Sequence, residues 1–162
     1  MHSRIFQIET SPVDKDNYIG ESRYYDSFVG QNGIDYVDEG TDRDDDIEWL
    51  RRSLEGVATF EDDHFIITNK KAYFENKYDK FKELIDNLGA MSIEDFMGNA
   101  KEGTPYDQTI DYQMFLLESA YDSKYEFYVD SIDYNMKTID EFMRKADENV
   151  PYYIGATIDY HF

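Results

Sequence analysis

The chain is 162 residues long, contains no cysteine and carries a formal net charge of −20. That length fits one domain. The missing thiols exclude disulfides, thiolate metal sites and cysteine nucleophiles, and the charge disfavours direct binding to nucleic acid or to an anionic membrane.

Ser3–Glu9 is short, β-prone and followed by Ser11-Pro12, which predicts a first strand. Residues 10–42 are polar and interrupted by glycine, so no regular element is assigned there. Tyr18, Ile19, Tyr24, Tyr25, Phe28 and Val29 are the expected anchors of that stretch. Thr41 or Asp42 caps a helix running to about Glu55, with Ile47, Leu50 and Leu54 on one face and Gly56 as its stop. Val57–Phe60 and His64–Thr68 flank Glu61-Asp62-Asp63 and predict a β-hairpin. Phe74, Tyr78, Phe81, Ile85 and Leu88 then recur at helical spacing before Gly89, which predicts a long helix facing the core. Ser92 and Asp95 form a capping pattern for a short helix containing Ile93, Phe96 and Met97. Thr104-Pro105 is expected to open a further helix with Ile110, Met114, Leu117 and Tyr121 in line. Tyr125–Asp130 is strand-like, Thr138–Ala146 a capped helix, and Tyr152–Phe162 a last strand with Ile154, Ala156, Ile158, Tyr160 and Phe162 alternating.

Together these elements predict a single α+β domain over residues 1–162, a small antiparallel or mixed sheet packed with four to five short helices. Hydrophobic residues make up 41% of the chain and aromatic residues 17%, enough for a folded core despite the charge. No basic-then-apolar leader opens the chain and no apolar run approaches a membrane span, so the expected location is the cytoplasm of a host cell. One pattern occurs twice: Ser92-Ile93-Glu94-Asp95-Phe96-Met97 echoes Thr138-Ile139-Asp140-Glu141-Phe142-Met143. Both fit the start of an amphipathic helix; a remote duplication is the alternative.

Motifs for chemistry are absent. His2, His64 and His161 lack metal-ligand spacing, and neither a glycine-rich phosphate cradle nor a nucleophile elbow occurs. Asp42, Asp44 and Asp46 alternate like a calcium loop, but Ile47 and Ser53 stand where that loop needs Gly and Glu. Neither a catalytic residue, a metal site nor a cofactor is assigned.

The charge is uneven instead. Residues 1–63 carry −11, residues 64–90 carry +1 and residues 91–162 carry −10. Two clusters stand out. Asp44, Asp45, Asp46 and Glu48 crowd the start of one helix, where the helix dipole favours negative charge. On the helix expected from Pro105 to Tyr121, Asp107, Asp111, Glu118 and Asp122 fall within roughly 60° of arc at about 100° per residue, a row about 22 Å long. Tyr106 and Tyr112 stand beside that row, next to Asp107 and Asp111, and Tyr25-Asp26, Asp35-Tyr36, Tyr121-Asp122, Asp133-Tyr134 and Asp159-Tyr160 repeat the pairing of phenol with carboxylate. Tyrosine and carboxylate together suit a surface lined with Arg and Lys.

The run Asp44-Asp45-Asp46-Ile47-Glu48-Trp49-Leu50, then Asp62-Asp63-His64-Phe65-Ile66-Ile67-Thr68, then Phe81-Lys82-Glu83-Leu84-Ile85, resembles antirestriction DNA mimics of conjugative elements. The likeness covers residues 42–97, and that family's acidic segment is not found in the last third. The resemblance implies a phage or mobile-element protein that blocks a nucleic-acid-binding defence enzyme, the niche that anti-CRISPR inhibitors also fill. The expected partner is therefore a basic protein, a host restriction or CRISPR effector. The residues expected to meet it are Asp44, Asp45, Asp46, Glu48, Asp107, Asp111, Glu118, Asp122, Tyr106 and Tyr112. An immunity protein or antitoxin against a basic toxin is the alternative, and an enzyme using paired carboxylates is the third reading. A homo-oligomer is left open.

Overall fold

A computed structural model describes residues 1–31, 33–98, 105–133 and 136–162. Its frame is one seven-stranded mixed sheet in the order β3-β4-β7-β1-β5-β6, with β2 also paired to β7. The strands are β1 (His2–Glu9), β2 (Tyr36–Asp38), β3 (Ala58–Glu61), β4 (His64–Ile67), β5 (Tyr128–Asp130), β6 (Lys137–Thr138) and β7 (Pro151–His161). Among the described strands, only β1 and β5 run parallel. The helices are α1 (Arg43–Ser53), α2 (Lys70–Gly89), α3 (Ile93–Phe96), α4 (Ile110–Tyr121) and α5 (Ile139–Lys145), so the fold is α+β as expected. Among the described residues, no helix is long and apolar enough to cross a membrane.

Both sheet faces are covered. Phe6, Phe65, Val129 and Ile154 meet α1 and α5 through Leu50, Leu54, Phe142 and Met143. On the other face, Ile5, Tyr128, Ile158 and Tyr160 pack under Ile19, Tyr24, Phe28 and Ile34. The segment without regular secondary-structure signal thus supplies Ile19, Tyr24, Phe28, Ile34 and Val37 to the core of this face, while its two single 3-10 turns at Lys15–Asn17 and Glu21–Arg23 bury no residue themselves. Tyr25 is not one of its anchors; it points to solvent.

The last strand departs from simple alternation. Ile154 belongs to the helix-covered face and Ile158 to the opposite one, although both are even-numbered. A bulge explains the switch, because the pairing of β1 with β7 slips between Phe6 and Ile8. Gln7 fills the bulge: its Oε1 accepts from the amides of Ile19 at 3.0 Å and Ala156 at 3.1 Å. A Cβ on Gly155 would lie 2.5 Å from that oxygen, so the position takes only glycine without a shift.

The hairpin turns over two residues, Asp62-Asp63, rather than three, with Asp62 in the left-handed region at φ 49°. The long helix α2 differs more from expectation. Only Leu84 is buried, while Tyr78 is 59% and Ile85 46% exposed. Its principal helix partner is α4, and the two form an arm beside the sheet. The helix α4 starts at Ile110 under a Thr109 cap, not at Pro105, which leads instead into a single turn at Tyr106–Gln108. Thr104 lies outside the described residues.

Candidate partner-binding surface

Carboxylates gather at the sheet edge at β2 and at the start of α1. Asp42 caps α1, its side chain accepting from the amides of Asp44 at 3.1 Å and Asp45 at 3.3 Å. Asp44 and Asp45 then face water in the first turn, where the aligned peptide dipoles offset their charge. Glu48 is held by Arg51 at 3.2 Å and Arg52 at 3.1 Å. Across a shallow groove from Asp44 and Glu48 stand Asp62 and Asp63 of the hairpin turn.

Asp46 does not belong to this surface. It is 3% exposed and its Oδ1 accepts from Arg4 Nε at 2.5 Å. The reason is helical spacing: Asp46 lies one turn before Leu50 and two before Leu54, so the core-facing ridge carries it inward. Arg4 also donates to Asp159 and so neutralises two carboxylates between β1, β7 and α1.

Arg43 spends its charge on backbone. Its Nε donates to the Gly155 carbonyl at 2.7 Å and its Nη2 to that of Ile154 at 2.5 Å, filling the gap between β4 and β2 along β7. Thr41 completes the patch with a 2.9 Å hydroxyl contact to Thr157. A second hollow brings Glu39 beside Arg43 and Tyr18. Glu21 and Glu39 are locked together, each carboxylate accepting from the other's amide at 3.0 and 3.1 Å. Asp38 accepts from the Tyr36 hydroxyl and the Gly40 amide, each at 2.8 Å. These bonds hold the Asp38 carboxyl below its ordinary value, the Gly40 amide contributing most. The Tyr36 phenol is pushed up to about 12, first by its hydrogen bond to Asp38 and then by desolvation and nearby carboxylates. The Tyr25 phenol is raised too, by desolvation and by Glu21, Asp38 and Glu39.

Carboxylates therefore follow one another along this edge, from Glu21, Asp38 and Glu39 past Arg43 to Asp44, Glu48, Asp62 and Asp63. Exposed Tyr25 and Tyr36 flank one end. Sequence reasoning singled out Asp44, Asp45 and Glu48 but missed Glu21, Asp38 and Glu39. The adjacent pairs Tyr25-Asp26 and Asp35-Tyr36 lie near them, but the other Tyr–carboxylate pairs in the chain carry the same signal.

The second expected cluster is not a continuous helical row. Asp107 precedes α4 in a separate turn, and Asp122 lies beyond its end, accepting from the Thr138 hydroxyl. Only Asp111 and Glu118 remain on the helix, both exposed. Tyr106 and Tyr112 touch each other, with ring centroids 5.2 Å apart, on the arm rather than on the carboxylate edge.

The other buried carboxylates carry structural partners. Asp130 takes Arg23 at 2.9 Å and the Tyr24 hydroxyl at 3.1 Å. Asp140 takes Lys77 at 2.8 Å, the Tyr73 hydroxyl at 2.7 Å and the Ser123 amide at 2.8 Å. Burial pushes the Asp140 carboxyl up, but the Lys77 and Tyr73 bonds outweigh it and hold the group below its ordinary value. Tyr24 and Tyr73 are raised by burial and by the carboxylates they bond. Each buried acid thus has a cation of its own or shares one. A cleft of about 860 Å³ between arm and sheet is walled by Trp49, Tyr73, Phe115, Tyr125, Phe127 and Phe162, and Glu126 at its floor is paired to Lys77 at 3.3 Å. Among the described residues, no group of three or more His, Asp or Glu side chains could hold a metal ion.

In comparisons with known proteins, the chain matches no protein-family model, no curated protein and no solved structure.

Proposed function

We propose that the protein is an anionic decoy from a phage or mobile element, which occupies the basic nucleic-acid groove of a host restriction or CRISPR effector and excludes its substrate. The observation that carries this reading is the carboxylate edge from Glu21 to Asp63, organised by backbone amides and flanked by exposed Tyr25 and Tyr36. A net charge of −20 equals the phosphate charge of roughly ten base pairs. Amide-fixed carboxylates keep their geometry before the partner arrives, which lowers the ordering cost of binding. Tyrosines beside them supply contact area and a π-face for Arg. The charge geometry supports an anionic surface for a basic partner, and the resemblance over residues 42–97 supports the mobile-element source and the defence enzyme as target.

Long-range attraction between opposite fields makes such association fast and sensitive to salt. The test is competition with duplex DNA for a purified restriction enzyme and a CRISPR effector at rising ionic strength. Neutralising Asp44, Glu48, Asp62 and Asp63 together (Asp→Asn, Glu→Gln) should weaken binding by about tenfold or more at low salt. Affinity that ignores both salt and the four substitutions would sink the proposal.

A further inference from the structure

The arm carries an exposed seam, in which the Tyr121 ring meets the Arg144 guanidinium at 4.2 Å and Glu118 pairs with Lys124 at 3.6 Å. On α2, Ile85, Tyr78, Lys71 and Lys82 fall within roughly 60° of arc at about 100° per residue. All four are exposed, and the Lys82 ammonium sits 5.4 Å from the centre of the Tyr78 ring. On α4, Tyr121, Met114, Glu118 and Asp111 fall within roughly 80° by the same measure. They too are exposed. The Phe81 and Tyr121 rings, 6.3 Å apart, join the two stripes into one surface. Across the seam the order is therefore lysines, apolar side chains of α2, apolar side chains of α4, carboxylates.

That order is self-complementary. Turned over by a twofold axis, the seam lays its lysines on the carboxylates of an identical seam and brings the apolar rows together. Charge decides which surface two copies can share. Bodies of net charge −20 repel each other, and α2, with five Lys against four acids, is the one described helix with a positive surplus. Apolar exposure of this extent on two adjoining helices marks a contact surface.

We infer that the arm is the dimer interface of this protein, with α2 of one copy lying against α4 of a second copy and the reverse. This is independent of the carboxylate edge, and salt separates the two. Screening weakens binding to a basic target but relieves repulsion between two anionic copies, so dimerisation strengthens as salt rises.

Sedimentation velocity of the full chain over a range of concentrations and salt tests it. The expected result is a mass moving from 19.2 kDa toward twice that value as concentration and salt increase. Ile85→Glu and Met114→Glu, both at exposed positions, should each raise the dissociation constant about tenfold or more. Lys82→Glu and Glu118→Lys should each weaken the dimer, and combining them should restore it to within about threefold of the wild type. Circular dichroism and the fluorescence of the single tryptophan, Trp49, verify that each variant folds. A 19.2 kDa species at every concentration and salt overturns the inference. So does a dimer indifferent to both Ile85→Glu and Met114→Glu, or a charge swap that restores nothing.

Discussion

Ser92–Met97 and Thr138–Met143 share a hydroxyl cap, an isoleucine, two acids, a phenylalanine and a methionine, and each begins a helix. The cap acts in both, Ser92 accepting from the Asp95 amide at 3.2 Å and Thr138 from the Glu141 amide at 3.1 Å. Their surroundings are opposite. Phe96 is 74% exposed, whereas Phe142 is 7% exposed against Phe65 and Tyr152 of the sheet. The acids diverge as well: Glu94 faces solvent, while Asp140 is fully buried on Lys77. Local chemistry starts a helix, and the surface waiting for it decides what that helix is worth to stability.

The largest expected effect tests the buried copy. Phe142→Ala removes a ring packed edge-on to Tyr152 and should cost about 3–5 kcal/mol, read as a lower urea midpoint.

Lys77→Met comes next. It leaves the Asp140 carboxylate buried without its cation, at a cost of about 3 kcal/mol, because Tyr73 and the Ser123 amide still donate. The pH dependence has a definite sign. Asp140 is held below its ordinary 3.8 in the folded chain, so its stabilisation is fully present above that value and is lost as pH falls through the lowered one. The variant should therefore be most destabilised near pH 7 and approach the wild type in acid, once pH falls below the lowered Asp140 value, in urea unfolding across the range. A gap that stays constant with pH would mean that Lys77 acts by packing alone.

Helix starts were readable because their determinants are local: Asp42, Ser92 and Thr138 each sit next to the amides they cap. Strand β7 was readable as a strand but not as a strand that changes faces, since the bulge answers to Gln7 on a neighbouring strand. The apolar line of α2 promised burial, yet periodicity reports that a helix has a face and not how large a surface will meet it. Within Asp44-Asp45-Asp46, the same residue type divides between water and core; only the step of four to Leu50 marks Asp46 as the inward one. Glu21 and Glu39 escaped notice because each carboxylate accepts from the other's amide across 18 residues, without any repeat to reveal it, and Asp38 because its partners Tyr36 and Gly40 show no motif.

The smallest effect belongs to the exposed copy. Phe96→Ala removes as many atoms as Phe142→Ala, but its ring already faces water, so neither a cavity nor a lost transfer term follows. The expected change is within about 0.5 kcal/mol of zero by urea unfolding. A loss approaching that of Phe142→Ala would mean that something covers Phe96 in solution. Because α3 adjoins the α2–α4 arm in sequence, such a loss should then grow with protein concentration, as it would for a side chain buried between copies and not within one.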